Sequence, residues 1–176
     1  MLNTPTNPTG AVFSREVMAR VADLAAARGV FVISDEVYED LVFEGEHASI
    51  AGLGVDDQAF IVSGFSKTYA MTGWRLGYLV CPRHLAGVAA SLQEPVTSCA
   101  SSVAQKAGET ALAGPQECVE RFRAIYRARR DLLVEVLGPS GLLPIVPAGA
   151  FYALVDVGPT GQDSTTFAKD FLRAQG

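Results

Sequence analysis

Apolar residues in the first eighty positions come in short bursts, separated by stretches with a different repeat. Val30 to Ser34, Ala59 to Ser63 and Leu76 to Val80 are near-continuous apolar runs. Runs of that length predict strands buried on both faces of a parallel sheet. Between the positions of Ser14 and Gly29 the spacing changes, and Val17, Val21, Leu24 and Ala25 fall on one helical face. Ser14 is placed to cap that helix, Glu16 lies in its first turn and Gly29 is placed to end it. Helix, strand, connection, strand is the rhythm of a doubly wound α/β sheet. The opening MLNTPTNPTG is too dense in Pro, Asn and Gly for a regular element and predicts a shaped loop.

Beyond Pro82 the pattern turns helical, over residues 83–92, 101–113 and 115–137, with Pro115 suited to a first helical turn. The longest of these segments carries Val119, Phe122, Ile125 and Tyr126 on one side. Glu120, Arg123, Arg127, Arg129 and Arg130 lie elsewhere around it and read as a solvated face. Residues 142–146 and 151–157 alternate as strands of a smaller sheet would, with Pro147-Ala148-Gly149 as the turn between them. A last helix is predicted over 164–174. The change of texture near Gly114 divides the chain into an α/β unit with a mostly parallel sheet, residues 1–114, and part of a smaller α+β unit, residues 115–176.

Composition narrows the function. Hydrophobic residues make up 49% of the chain, enough for a real core, while the net charge of −5 lacks the basic footprint of a nucleic-acid or anionic-membrane binder. No apolar run approaches the roughly 20 residues of a membrane span. The N-terminus lacks a basic segment followed by an apolar one, so a cytosolic location is expected. Cys81, Cys99 and Cys118 form an odd set without CxxC spacing, which argues against disulfides and zinc and for buried, reduced thiols.

In an open α/β sheet the ligand sits beyond the carboxyl ends of the strands. Asp35 follows the first long apolar run, and Ser63, Ser66 and Lys67 follow the second. Asn7 sits in NPTG, after what reads as the end of a strand. Arg75 lies eight residues after Lys67. An acid, a lysine, an arginine and small hydroxyl residues are the groups a phosphorylated aldehyde cofactor needs. A Schiff base requires the amine to be neutral when it attacks, a state that nearby positive charge favours. A carboxylate such as Asp35 keeps a pyridine nitrogen protonated, so the ring can accept electrons from a substrate carbanion. Tyr38, three residues after Asp35, is placed to reach a phenolic oxygen of that ring. Glu36 and Asp40 read as solvated neighbours, His47 and His84 as surface residues, and Trp74 and Tyr69 as core or interface residues. Phe151 and Tyr152 suit either a substrate entrance or an apolar strand.

GFSKTYAMTGWRLG, from Gly64 to Gly77, closely resembles the pyridoxal-phosphate attachment segment of the class I/II, fold-type I aminotransferases. NPTG and SDEVY match two further segments of that family in the right order, and PAGAFY, from Pro147 to Tyr152, is similar to a strand of its smaller domain. The resemblance implies that Lys67 holds pyridoxal 5'-phosphate covalently and shuttles the substrate proton, and that Asp35 pairs with the ring nitrogen. Asn7 and Tyr38 would bond the phenolic oxygen, and Arg75 would hold the phosphate with Ser66 and Ser63. Gly64 departs from relatives that have serine three residues before the lysine, which weakens the role of Ser63. The family pattern also implies a cis Asn7-Pro8 bond. Only the latter half of the family's architecture is covered. The helix N-terminus that cradles phosphate, the aromatic that stacks on the ring and the arginine that binds the substrate carboxylate fall outside it. The expected activity is amino transfer between an amino acid, with an aspartate-type donor favoured, and a 2-oxo acid, by a homodimer when full length. Lyases and synthases use the same lysine. A cofactor-binding regulatory or pseudoenzyme module and an inactive fragment are the competing expectations.

Overall fold

The computed structural model describes all 176 residues. Helix α1, Arg15–Arg28, starts where Ser14 accepts a hydrogen bond from the Val17 N–H and stops at Gly29, whose left-handed backbone caps it. Its buried stripe is Met18, Ala22 and Ala25, while Val17 and Leu24 are 42% and 57% exposed. The helix is as expected and its inward face is not. The 18/22/25 stripe is equally periodic, and its two alanines let the helix lie close against the sheet.

The sheet is β1 (Leu2–Asn3), β2 (Val32–Asp35), β3 (Ala59–Gly64) and β4 (Gly77–Val80), in that order. The first three run parallel and β4 is antiparallel to β3. Under α1, Val32, Ala59 and Ile61 pack with Ala48, Ile50 and Val55 into the main core. The strands were expected to be buried on both faces, but only this face is covered. Ile33, Val62 and Leu79 on the other face remain about two-fifths exposed. Alternation of buried Val32 and Ser34 with Ile33 and Asp35 therefore sets two environments on one short strand.

After a 3₁₀ turn at residues 83–85 come α3 (Ala86–Thr97), α4 (Ser102–Ala113), α5 (Glu117–Leu137) and α6 (Ser164–Gln175). Pro115 precedes the Gln116 cap position of α5 instead of lying in its first turn. Val119 is buried and Phe122 and Tyr126 half-buried, but Ile125 is exposed. The arginines do not form a purely solvated face. Arg127 donates to the Phe43 carbonyl, and Arg130, 8% exposed, donates to the Pro147 carbonyl and to Glu44, each at 2.7 Å.

Residues 142–146 and 151–157 are not strands. One hydrogen bond, from the Asp156 N–H to the Leu142 carbonyl at 2.8 Å, joins them, and no ladder forms. The backbone between them is used elsewhere. The N–H groups of Ala148 and Gly149 both donate to the Gly10 carbonyl at 2.9 Å, and the Ala150 N–H donates to the Leu41 carbonyl at 2.8 Å. NPTG, the segment after SDEVY and PAGAFY are thus laced together.

Gly10 shows how tight that lacing is. Its φ is +70°, and an added Cβ would stand 2.5 Å from the Pro147 Cβ and 2.8 Å from the Gly149 carbonyl oxygen. Left-handed strain and overpacking together are expected to cost Gly10→Ala about 2–4 kcal/mol. Urea denaturation checks this, and an unchanged midpoint would mean the loop gives way freely. The thiols are free, but Cys99 is exposed and Cys81 and Cys118 are half-buried, so none is the fully buried thiol expected. Trp74 is 47% exposed and not a core residue of this chain.

Candidate functional site

Three parallel strands bring their carboxyl ends to Asp35. Parallel register sets it beside Asn3 on one side and Val62 on the other. Its carbonyl accepts from the Thr4 N–H and from Asn3 Nδ2, both at 3.1 Å, which fastens the opening loop to the end of β2. Both X-Pro bonds of that loop, Thr4-Pro5 and Asn7-Pro8, are cis. The Asp35 carboxylate caps the next turn, accepting from the Val37 N–H at 3.3 Å.

That turn carries Tyr38, which is buried. Directly after β3, the one-turn helix α2 (Phe65–Thr68) carries Lys67, whose Nζ lies 5.8 Å from the centre of the Tyr38 ring and 5.2 Å from that of Phe151. Tyr38 and Tyr152 join their hydroxyls at 2.8 Å. The Tyr38 phenol is held well above its usual range. Burial is the main cause, the hydroxyl and charge of Tyr152 add to it, and the Asp35 charge contributes; the Asn7 side chain pulls the other way. Asn7, Asp35, Tyr38 and Lys67 therefore share one crevice, and Phe151 and Tyr152 close one side of it.

Ser66 and Arg75 belong to the same Gly64–Gly77 connection as Lys67. Ser66 is half-buried, its carbonyl accepting from Thr72 Oγ1 at 3.0 Å. Arg75 is exposed, adopts a left-handed backbone with φ of 53°, and donates from Nη1 to the Thr72 carbonyl at 2.9 Å. Ala70, Arg75 and Ala150, three of the four non-glycine residues with positive φ, lie in segments that carry or face Lys67. Such conformations cost about 1–2 kcal/mol each and concentrate at functional sites. Ser63 is not brought to this crevice. It is buried on the α1 side of the sheet, because side chains alternate along β3, and donates to Glu39 at 2.7 Å, where the Tyr78 hydroxyl also donates at 3.2 Å.

Three residues have more structural work than the sequence indicated. Glu36 is not solvated but 1% exposed, and accepts from Ser34 Oγ (2.8 Å), the Ile50 N–H (3.1 Å) and His47 Nε2 (3.0 Å). Burial alone would raise its carboxyl, but hydrogen bonds from His47, Ser49, Ile50 and Ser34 outweigh it and hold the group below its ordinary 4.5. His47 is mostly buried, not a surface residue. Asp40 accepts from Thr68 Oγ1 at 2.9 Å, tying the turn after β2 to the helix of Lys67. Nothing in the local spacing marks a Glu36–His47 pair eleven positions apart. The cue available was that four acids crowd DEVYED and cannot all face solvent there.

A cavity of about 640 Å³ lies elsewhere, between residues 39–47 and α5, lined by Glu39, His47, Glu120, Arg123 and Arg127. No lysine lines it. The strand-end crevice has the stronger claim, because an amine, a carboxylate, a phenol and an amide converge there.

The model of the family "Aminotransferase class I and II" matches residues 1–176. The chain belongs to the class I and II aminotransferases. Curated relatives include the aspartate/prephenate aminotransferase of Thermus thermophilus, 40% identical over 99% of this chain and 46% of that protein. Another is the arginine–pyruvate transaminase of Pseudomonas aeruginosa, 40% identical over 99% and 45%. Among solved structures, Thermus thermophilus aspartate aminotransferase with maleate superposes with a TM-score of 0.91 at 41% identity, covering 98% of this chain and 46% of that one. The chain thus spans about half the length of the curated relatives it matches. No helix in it is long and apolar enough to cross a membrane.

Proposed function

We propose that this chain supplies the lysine-bearing half of a pyridoxal-phosphate-dependent aminotransferase. The observation that carries the reading is the Lys67 amine facing the buried Tyr38 ring at the end of the strand that bears Asp35. The donor set suits the cofactor: an amine for its carbonyl, a carboxylate for its ring nitrogen, a phenol and an amide for its phenolic oxygen, and a guanidinium for its phosphate. When bound, pyridoxal phosphate supplies an electron sink for the substrate α-carbon. Asp35 keeps the ring nitrogen protonated, and Tyr38 and Asn7 donate to the phenolic oxygen. Arg75 and Ser66 hold the phosphate, while Ser63 is assigned to the Glu39 anchor. Lys67 attaches the cofactor and, once released by the incoming amino acid, takes the α-proton as a general base.

Residues 1–114 are assigned to the large cofactor-binding unit and 115–176 to the smaller one, within a cytoplasmic, homodimeric full-length protein acting on an amino acid and a 2-oxo acid. The similarity to aspartate aminotransferases supports an aspartate-type donor. The test is a single turnover with cofactor-loaded protein. L-aspartate is expected to yield one oxaloacetate per bound cofactor, faster than L-alanine yields its 2-oxo acid. Bound cofactor without 2-oxo acid from any donor would favour the regulatory or pseudoenzyme reading.

A further inference from the structure

Tyr152 has no role in the scheme above, yet its hydroxyl meets that of Tyr38 at 2.8 Å inside the same crevice. The pair is held from both sides. The two rings sit edge to face at 5.7 Å, and Phe151, next along the chain, stacks on Tyr126 of α5 at 5.3 Å. Tyr152 arrives on the PAGAFY segment and Tyr38 on the turn after β2, 114 positions away. The contact therefore depends on how those two parts of the chain sit together.

A phenol has one hydrogen to donate and lone pairs to accept. With the two hydroxyls alone, either can be the donor. If Tyr38 donated to Tyr152, it would have no hydrogen left for a cofactor oxygen. If Tyr152 donates, the Tyr38 hydrogen is free to point toward that oxygen, and accepting a hydrogen bond makes Tyr38 a stronger donor.

We infer that Tyr152 is a positioning residue that donates its hydroxyl hydrogen to Tyr38 and thereby commits Tyr38 to donate to the anionic phenolic oxygen of bound pyridoxal phosphate. This rests on the proposed cofactor site. The groups facing Tyr38 are Lys67 on α2, Asp35 on its own segment, Asn7 on the opening loop and Tyr152. Burial, the main influence on the Tyr38 phenol, opposes its ionisation and keeps it a donor.

The effect is read from the pH midpoint of the visible absorption of cofactor-loaded protein. Donation by Tyr38 stabilises the anionic oxygen, so losing it raises that midpoint. A hydrogen bond to a charged acceptor corresponds to roughly one to two pH units, the shift expected for Tyr38→Phe. Polarisation by a neighbour adds about a tenth to a third of a bond's strength, so Tyr152→Phe, which keeps the packed ring, is expected to raise the midpoint by about 0.3 units, a twofold change in the equilibrium. In Tyr38→Phe/Tyr152→Phe the midpoint is expected to equal that of Tyr38→Phe alone, because the second hydroxyl has nothing left to act through. A midpoint that Tyr152→Phe leaves unmoved or lowers, or shifts that add in the double variant, would overturn the relay while leaving the cofactor site intact. Absence of a visible, borohydride-fixable adduct in the parent protein would overturn the site and the relay together.

Discussion

Lys67→Ala is expected to abolish the borohydride-fixable pyridoxal phosphate adduct and to lower amino transfer by about 10⁴-fold or more. The size of the effect follows from one amine serving two roles, attachment and proton transfer, so that no neighbour can stand in for it. Tyr38 and Phe151 flank it with rings, and neither side chain can form an imine. The fold should barely notice. Lys67 is half-buried, and its approach to two aromatic rings is worth about 1 kcal/mol at such a site. Its α2 turn is fixed by other residues, through Thr68 on Asp40 and Thr72 on the Ser66 carbonyl. A parent-like urea midpoint with no adduct separates lost chemistry from lost structure. A full adduct in Lys67→Ala would mean the cofactor is held by another amine.

Glu36→Ala is expected to be the most destabilising single exchange near the site, by about 3–5 kcal/mol. The carboxylate is almost completely buried, and its removal leaves the Ser34 hydroxyl, the Ile50 N–H and His47 Nε2 without their acceptor. Each unsatisfied buried group costs about 1–3 kcal/mol, less what local water recovers. For a chain of this size the melting temperature should fall by roughly 10 °C. Tyr38 rides on the same turn, so cofactor affinity should weaken as well. The pH dependence has a definite sign. The folded-state carboxyl titrates below its ordinary 4.5, so as pH falls the unfolded chain takes the proton first. The stabilisation is complete above pH 4.5 and is lost as pH drops through the lower folded-state value. The difference in unfolding free energy between the parent and Glu36→Gln should therefore shrink on acidification, and a difference that grew would place the charge elsewhere.

The clustering of the candidate residues was legible in the sequence where strand direction decides it. Asp35, Tyr38 and Lys67 stand just beyond apolar runs, and strand direction alone sends such residues to one edge of a parallel sheet. The α1 boundaries were legible for the same reason, since a serine cap and a terminal glycine act within one turn. Which face of α1 turns inward was not. Two stripes of similar apolarity compete, and the choice depends on how closely small residues let the helix approach. Residues 142–157 alternate like strands, but a strand exists only with a partner, and their backbone is engaged by Gly10 and Leu41 instead. Ser63 stands near Lys67 in sequence, but alternation along β3 turns it to the opposite side of the sheet from Asp35. Glu36 and His47 are a pairing between distant positions, which no local repeat encodes.

The chain has only three lysines, at positions 67, 106 and 169, and this makes the central claim directly measurable. Lys106 is 72% exposed and paired with Glu109, and Lys169 lies on the exposed helix α6, so modification governed by access alone would favour those two. Protein incubated with pyridoxal phosphate, reduced with borohydride and digested should carry the pyridoxyl group on Lys67, close to one per chain, as read by mass spectrometry of the peptides. Label spread over Lys106 and Lys169, with Lys67 unmodified, would contradict the account.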